Sequence, residues 1–415
     1  MPSRQPSLRT DDVHRHVREH AVATAGRGRL GVELEWLTWP LDDPARPICF
    51  DQLRTEVAGP LPRGGRLTFE PGGQVELSSL PQAGIGAAHA AVAADLAVLR
   101  GRIGDAGVDL VGLGLDPFRP CRRVVGGPRY DAMEAYFDGA GSAGRRMMCG
   151  TASIQLNLDM TGEGTPGARW ELAHAIGPVL AAACANSPIV GGRPSRWRSA
   201  RLAVWAAIDR TRTAPACTSG LAIGDDAAES TASPSDQWAQ YALGARVMLV
   251  RAGPERFVPV FEHLTFEEWM SRGHELGYPT ADDLAYHLTT LFPPVRLRGW
   301  MELRMVDALP EPWWRVPGAV ATALLDDPEA AAVAREATAP TAHLWHQAAR
   351  LGLSHPALAA SARRCFVAAI AALPRLGADP ETQAACAAFF DRFVARGRCP
   401  ADEVLDRWAA DRQVA

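Results

Sequence analysis

The sequence predicts an α+β protein built on an antiparallel sheet and followed by a helical C-terminal region. From about residue 28 to residue 306, strand-like segments alternate with helices, whereas an alanine-rich helical pattern begins near residue 316. At 415 residues the chain exceeds the usual domain size of about 100–200 residues. We expect one catalytic domain over 1–415, with a sheet-containing core at 28–315 and helices of 316–415 packed on that core.

The predicted elements follow the periodicity of apolar residues along the chain. The predicted strands are 29–39, 66–79, 147–159 and 294–306, with a shorter one at 108–115. The predicted helices are 85–103, 170–185 and 237–250, after an opening helix that starts at Thr10 with Asp11 and Asp12 in its first turn. A segment rich in Ala, Ser, Asp and Thr, 214–234, is predicted to be a loop.

The four main strands each carry one apolar and one polar face, because alternate side chains of a strand point to opposite sides. The polar faces comprise Glu33 and Glu35; Gln74, Glu76 and Ser78; Ser153, Gln155 and Asn157; and Arg296, Arg298, Glu302 and Arg304. This alternation predicts an antiparallel sheet with one packed face and one open face.

The polar face has two explanations. Contact with water is the usual fate of alternating strands. The composition favours a binding site instead, since carboxylates on neighbouring sheet positions repel each other unless a cation neutralises them. Mg²⁺ prefers such carboxylate oxygens, and Glu33 and Glu35, two residues apart, are the sharpest candidates.

Two further segments support the binding-site explanation. In 70–77 (EPGGQVEL), a Pro-Gly-Gly sequence separates Glu70 from Glu76 and permits a bulge that re-aims side chains within a strand; a plain hairpin turn is the alternative. Glu302 and Arg304 stand two residues apart and form either an ordinary salt bridge or a pair in which Glu holds Mg²⁺ and Arg faces a phosphoryl group.

The segment 194–212 is dense in arginine. Arg198, Arg201 and Arg210 could each bind a carboxylate or phosphate with two hydrogen bonds. A solvated helix face is the alternative for most of them.

Composition excludes several classes of protein. The chain has no lysine, so all 43 Lys and Arg residues are arginine, which removes lysine Schiff-base chemistry and Walker-type phosphate loops. The net charge of −4 and the lack of a basic arm argue against nucleic-acid binding.

The eight cysteines are scattered singly, which indicates buried thiols in a reducing compartment. The sequence has neither an apolar signal core nor about 18 consecutive apolar residues, so we expect a cytoplasmic protein without a membrane span.

Five blocks in order resemble the plant and actinobacterial type of glutamate–cysteine ligase. They are GVELEW (31–36), EPGGQVELSSLP (70–81), SIQLNLD (153–159), ANSPIVGGRPSRWRSARLAVWAAIDRTR (185–212) and FPPVRLRGWMELRMVDALP (292–310). Within that family the chain is most similar to the ligases of ergothioneine biosynthesis. The resemblance implies a glutamine-synthetase-like fold whose antiparallel sheet lines a cleft for ATP and Mg²⁺, with helices on the other face.

The resemblance also implies roles for individual residues. The implied metal ligands are Glu33, Glu35, Glu76, Gln155 and Glu302; Gln155 stands where related ligases place a histidine, and its amide oxygen could serve instead. Arg304 would face the phosphoryl group or glutamate, and Glu70 would support the site or contact a substrate. We expect substrate contacts from Arg198, Arg201, Arg298 and Asn157.

The implied substrates are glutamate, cysteine and ATP. The glutamate γ-carboxylate attacks ATP to give a γ-glutamyl phosphate, and the cysteine amine then displaces phosphate, giving γ-glutamylcysteine. Loops at 139–144 and 214–234 are candidates to close over the site. Two alternatives stay open: a ligase for a different amine, and a non-catalytic metabolite-binding protein of the same fold. The sequence does not indicate an oligomeric state.

Overall fold

The computed structural model of the protein describes residues 8–20, 28–162, 164–217 and 232–414. Its strands are Arg29–Pro40 (β1), Arg66–Phe69 (β2), Val75–Ser78 (β3), Gln82–Ala83 (β4), Val108–Val111 (β5), Ser153–Leu158 (β6), Ile189–Val190 (β7), Arg193–Pro194 (β8), Leu249–Gly253 (β9), Arg256–Pro259 (β10), Val295–Leu297 (β11) and Met301–Asp307 (β12).

Helices make up most of the remaining structure. They are Thr10–His20 (α1), Phe50–Glu56 (α2), Ile85–Asp105 (α3), Pro128–Asp138 (α4), Ala143–Gly150 (α5), Pro166–Ala175 (α6), Gly177–Ala183 (α7), Ala200–Ile208 (α8), Arg210–Thr213 (α9), Pro234–Gly244 (α10), Phe266–Arg272 (α11), Ala281–Thr289 (α12), Arg315–Asp326 (α13), Pro328–Thr338 (α14), Trp345–Leu351 (α15), Pro356–Ala372 (α16), Pro380–Arg392 (α17) and Pro400–Val414 (α18). Short 3₁₀ turns occur at Gly352–Ser354 and Val394–Arg396.

The main sheet is antiparallel and has the strand order β11-β12-β6-β1-β3-β2, with β4 and β5 also paired to β1. Its register decides which polar side chains meet. Glu35 on β1 lies opposite Glu76 on β3, and on the other side Glu33 lies opposite Gln155 on β6. One strand further, Asn157 lies opposite Glu302 on β12. The predicted polar positions therefore come together across four neighbouring strands.

Two predicted strands are hairpins, and the prediction of single strands there is wrong. In 66–79 the chain reverses between β2 and β3, where the Glu70 N–H donates to the Gln74 carbonyl (2.9 Å) and Gly73 has φ +86°. In 294–306 it reverses between β11 and β12 at Gly299, which has φ +85°. Glycine tolerates this left-handed backbone, so each turn forms where the sequence places a glycine.

Other boundaries also differ from the prediction. The segment 147–159 begins as the end of α5 and becomes β6 only at Ser153, and 170–185 spans two helices, α6 and α7, instead of one. The helix predicted over 237–250 ends at Gly244 in the structure. The last residues of the predicted range belong instead to β9, which begins at Leu249 and pairs with β10. Helices α1 and α3 and strand β1 agree closely with the prediction.

The apolar face of the sheet forms the core. Its side chains, such as Leu34, Leu156 and Leu303, are buried. Helices α3, α7 and α13 pack against the sheet, and α14, α16 and α17 pack on α13. The predicted α+β class, with helices on one face of an antiparallel sheet and a helical C-terminal region, is confirmed.

Most of the polar face is withdrawn from water, as the binding-site explanation predicts, although Glu33 and Asn157 remain partly exposed. Glu35 is 9% exposed, Gln155 4% and Glu302 1%. Helix α8 covers this part of the face: the Arg201 guanidinium donates to the Arg304 carbonyl (2.8 Å), and the Trp205 ring lies 5.6 Å from the Arg304 guanidinium. A buried face of charged side chains is the setting of a binding site rather than a solvated surface.

Within the described ranges, every helix is too short or too polar to cross a bilayer.

Candidate active site

Three carboxylates converge on the polar face of the sheet. Glu35 comes from β1, Glu76 from β3, and Glu70 from the turn that joins β2 to β3. One carboxylate oxygen of each lies within 4.8 Å of those of the other two. Thr68 and Ser78 donate hydrogen bonds to Glu76 (2.8 and 2.9 Å) and thereby fix its side chain.

The turn that carries Glu70 is held by its surroundings. The Pro71 carbonyl accepts hydrogen bonds from the Val124 and Val125 N–H groups (2.7 and 3.1 Å). A Cβ at Gly72 would lie 2.1 Å from the Cys149 carbonyl oxygen, so only glycine allows the turn to rest against the end of α5. The Pro-Gly-Gly sequence thus brings Glu70 to the carboxylates as a hairpin turn, not as a bulge.

The electrostatics show that nearby arginines compensate the charge of this group only in part. Burial, together with the charge of Glu76, raises the pKa of Glu35 from 4.5 to about 7. Burial, and then the charges of Glu35 and Glu76, raise the pKa of Glu70 well above its ordinary value. Carboxylates that repel each other in a buried site are stabilised in their ionised form by a cation.

Glu302 has the opposite environment. Two guanidinium nitrogens of Arg296 contact its carboxylate at 2.5 and 2.9 Å, and Arg304 lies 3.1 Å away. Burial alone would raise the pKa of Glu302, but the charges of Arg296 and Arg304 outweigh it and lower the pKa to about 2. Glu302 is therefore ionised and fully paired.

Gln155 connects the two environments. Its side-chain N–H donates to Glu35 (2.7 Å), and its amide oxygen accepts a hydrogen bond from Arg304. The Ser153 backbone N–H donates to the second Glu35 oxygen (2.8 Å). The assignment of Gln155 and Glu302 as metal ligands stays a prediction. In this structure Arg304 contacts the amide oxygen of Gln155 and one carboxylate oxygen of Glu302.

Arg201 and Arg304 line a cavity of about 190 Å³ next to the carboxylates. Apolar and basic side chains form the rest of its wall, among them Trp197, Trp205, Arg210, Phe292 and Trp345. Arg201 is buried, and among the described residues its Nε and Nη1 have no hydrogen-bond partner. Asp307 lies 3.7 Å from its Nη1 and balances part of its charge, and the guanidinium still has donors available for an anionic group of a substrate.

The three remaining residues predicted to contact a substrate lie in different places. Arg198 points away from the cavity and forms an ion pair with Asp402 of α18 (2.7 Å). Arg298 is 51% exposed and lies 3.8 Å from Glu302, at the edge of the site. Asn157 lies within the site and donates to Glu33 (3.0 Å).

The sequence reasoning missed two residues of this region. Trp205 packs against both Arg201 and Arg304, with ring-to-guanidinium distances of 5.8 and 5.6 Å. Its position four residues after Arg201, a spacing that puts both side chains on one face of a helix, is the signal that could have identified it. Tyr130 was also missed: burial, and then the charge of Glu70, raise its pKa, which places it near the carboxylates. No sequence pattern pointed to Tyr130.

Comparison with known proteins agrees with the predicted resemblance. Over residues 29–415 the sequence matches glutamate–cysteine ligase family 2. It is 42% identical over 404 residues to glutamate–cysteine ligase EgtA of Mycolicibacterium smegmatis, covering 95% of this chain and 90% of that protein. It is 41% identical to EgtA of Mycobacterium tuberculosis H37Rv, covering 92% and 86%. A chloroplastic glutamate–cysteine ligase of Brassica juncea is 31% identical, covering 60% and 47%. The chain therefore belongs to glutamate–cysteine ligase family 2.

Proposed function

We propose that this protein is an ATP- and Mg²⁺-dependent ligase that joins the γ-carboxyl of glutamate to the amine of cysteine and forms γ-glutamylcysteine. The names of the relatives support the reaction. The observation that carries the proposal is the convergence of Glu35, Glu70 and Glu76, near Arg201 and Arg304, which also line a cavity.

The residues present fit a magnesium site. Glu35, Glu70 and Glu76 offer only carboxylate oxygens, which are the ligands that hard divalent cations prefer. The raised pKa values of Glu35 and Glu70 show repulsion that a cation would remove. We assign these three residues as ligands of a cation, and Glu33, which shares their face of the sheet two residues before Glu35, as a further ligand. Bound Mg²⁺ would neutralise charge on the polyphosphate of ATP.

The arginines are assigned to the reacting anions. An attack by the glutamate carboxylate on ATP brings two negative groups together, and Arg304 and Arg201 offset that repulsion from within a buried site. Glu302 holds Arg304 on the sheet, while Gln155 fixes its orientation toward Glu35. The γ-glutamyl phosphate formed in this step is then open to attack by the cysteine amine.

An acyl phosphate must be shielded from water until the amine arrives. Of the two segments predicted to close over the site, 139–144 runs from the end of α4 into the start of α5. The other segment is 214–234, of which residues 218–231 lie outside the described part of the chain. We propose both as closing segments; protection of either from limited proteolysis by ATP plus glutamate is the expected result.

The relatives named EgtA favour a place in ergothioneine biosynthesis for the product. We also propose a cytoplasmic location. Cysteines such as Cys184, Cys365 and Cys386 are buried free thiols, which is the normal state in a reducing compartment.

The first test is ADP release by the purified chain with Mg²⁺, ATP and glutamate, comparing cysteine with a panel of other amines, and with the product identified by mass. We expect stimulation by cysteine and a γ-glutamylcysteine product. Stimulation by a different amine alone would change the acceptor and keep the ligase chemistry. No turnover with any amine, by folded protein, would favour a metabolite-binding role.

The metal assignment is tested separately by Glu76→Gln, which keeps the size of the side chain and removes its charge. We expect kcat to fall by about 10²–10³, the loss typical of removing a group that stabilises transition-state charge. Unchanged activity of Glu76→Gln would contradict the assignment.

A further inference from the structure

The hairpin between β11 and β12 places an exposed tryptophan at the edge of the active site. Gly299, with φ +85°, forms its tip, and the adjoining Trp300 is 37% exposed although its ring is large and apolar. The Arg298 guanidinium lies 5.7 Å from the ring. A tryptophan N–H usually finds a hydrogen-bond partner even where the ring is partly exposed, so the partner of this indole shows what it holds in place.

The Trp300 N–H begins a chain of hydrogen bonds that ends at a site carboxylate. It donates to the side-chain oxygen of Asn157 (2.7 Å), and the Asn157 amide nitrogen donates to Glu33 (3.0 Å). These bonds link the turn between β11 and β12 to β6 and then to β1, from the edge of the site into the polar face.

The chemistry of the three groups makes this chain directional. An indole N–H can only donate, and an ionised carboxylate can only accept. The amide between them must therefore turn its oxygen toward Trp300 and its nitrogen toward Glu33. Without the indole N–H, the amide of Asn157 could rotate and present its oxygen to the carboxylate, which would repel it.

The backbone around Asn157 is adapted to this arrangement. Asn157 lies opposite Gly31 on β1 and opposite Glu302 on β12. A Cβ at Gly31 would lie 3.3 Å from the Asn157 Cβ, so the glycine leaves room for the asparagine side chain. The short hairpin then holds Trp300 above the same position.

We propose that Trp300 is a positioning residue that, through Asn157, holds the Glu33 carboxylate in the orientation in which it binds the divalent cation. This rests on the proposed function, because it takes Glu33 as a ligand of that cation. Groups that hydrogen-bond to metal ligands typically contribute 10–100-fold to metal affinity. Trp300 is thus expected to influence a metal that it does not touch.

The test measures Mn²⁺ binding to the full chain without nucleotide, from the signal of free Mn²⁺ in electron paramagnetic resonance. Trp300→Phe keeps the ring and removes the N–H, so we expect about 10–100-fold weaker binding. Trp408→Phe is the matched control: its indole N–H donates to the Gly192 carbonyl (3.1 Å), outside the site, and we expect wild-type affinity.

Asn157→Leu interrupts the same chain at its centre. We expect it to weaken Mn²⁺ binding at least as much as Trp300→Phe, and the double variant to bind no more weakly than Asn157→Leu alone, since both act through one path. Equal Mn²⁺ affinity of Trp300→Phe and wild type, or fully additive losses in the double variant, would overturn the proposal.

Two further measurements separate this inference from the proposed function and from misfolding. Glu76→Gln should lose Mn²⁺ binding; if Glu76→Gln retained it, the cation site itself would be wrong and the role of Trp300 with it. If Glu76→Gln lost binding while Trp300→Phe did not, only the role of Trp300 would fail. A thermal melting temperature of Trp300→Phe equal to that of wild type shows that a loss of binding is not a loss of structure.

Discussion

The polar face of the sheet contains two groups of buried carboxylates with opposite electrostatic environments. On the β1–β3 side, Glu35 and Glu70 lie with Glu76, and burial and mutual repulsion raise their pKa values. On the β12 side, Glu302 is at least as buried, yet the charges of Arg296 and Arg304 lower its pKa to about 2. Burial thus goes with opposite protonation behaviour, because two arginines contact Glu302 directly, whereas Arg201 and Arg304 only partly offset the repulsion among the other carboxylates.

This difference distinguishes a carboxylate that stabilises the structure from carboxylates that are available to bind a ligand. The arginine-paired carboxylate is complete within the protein, so its task is to hold Arg304 in place. In the proposed function, a cation from outside neutralises the other carboxylates. The following predictions test that contrast, beginning with the largest expected effect.

Glu302→Gln breaks the paired side. Removing this charge leaves Arg296 and Arg304 buried without their main partner, and breaking a buried ion pair costs about 3–5 kcal/mol. We expect the free energy of unfolding, from urea denaturation, to fall by that amount. Glu336→Gln removes an exposed ion pair with Arg364 (2.8 Å) and should cost less than about 1 kcal/mol. If Glu302→Gln lowered the free energy of unfolding no more than Glu336→Gln does, the contrast between the two environments would be contradicted.

The pH dependence of stability without metal tests the unpaired side. Between pH 4.5 and 7 the folded protein, with the pKa of Glu35 raised to about 7, binds more protons than the unfolded chain. Stability therefore rises as pH falls from 7 toward 4.5, by up to about 3 kcal/mol. Below pH 4.5, the lowered pKa of Glu302 acts in the opposite direction, and stability falls toward pH 2.

Urea denaturation in EDTA across this pH range measures both slopes. Bound Mg²⁺ should remove the slope between pH 4.5 and 7, since it keeps the carboxylates ionised, and Glu35→Gln should reduce that slope without metal. A Glu35→Gln profile identical to that of wild type would show that Glu35 is not the titrating group.

Gln155→Leu disconnects the two sides while nearly preserving side-chain volume. Glu35 and Arg304 each lose one buried hydrogen bond, which we expect to cost about 1–2 kcal/mol of stability. Because Arg304 also loses its orientation toward Glu35, kcat should fall more than the KM for glutamate rises. Gln155→Glu restores an acceptor for Arg304 but repels Glu35; an unchanged kcat in both variants would rule out the bridging role.

Arg298→Ala gives the smallest expected effect. Arg298 is half-exposed and 3.8 Å from Glu302, so its removal should change the free energy of unfolding by less than about 0.5 kcal/mol. Arg304→Ala, measured beside it, should lower kcat far more strongly. A large stability loss for Arg298→Ala would mean that Glu302 depends on three arginines rather than two.

The strand periodicity was sufficient to predict which side chains share a face. Glu33, Glu35, Glu76, Gln155 and Glu302 were all placed on the polar face from alternation alone, because a strand leaves no other choice of direction. Strand limits were predicted less well. Alternation of apolar and polar residues continues through a tight turn, so it predicts a single strand at each of the two hairpins. Only the pairing of β2 with β3 and of β11 with β12 shows that the chain reverses direction there.

By itself, the sequence determined the class of fold, the two faces of the sheet and the residue types available for chemistry, since periodicity and composition are local properties. It also carried the family resemblance. Only the tertiary structure decided which carboxylates meet. Strand register placed Glu35 opposite Glu76, a turn brought in Glu70, and Arg296 paired with Glu302 across a hairpin. Charges separated along the chain acquire their pKa values and partners only through such contacts, because electrostatic interactions depend on distance and burial rather than on sequence position.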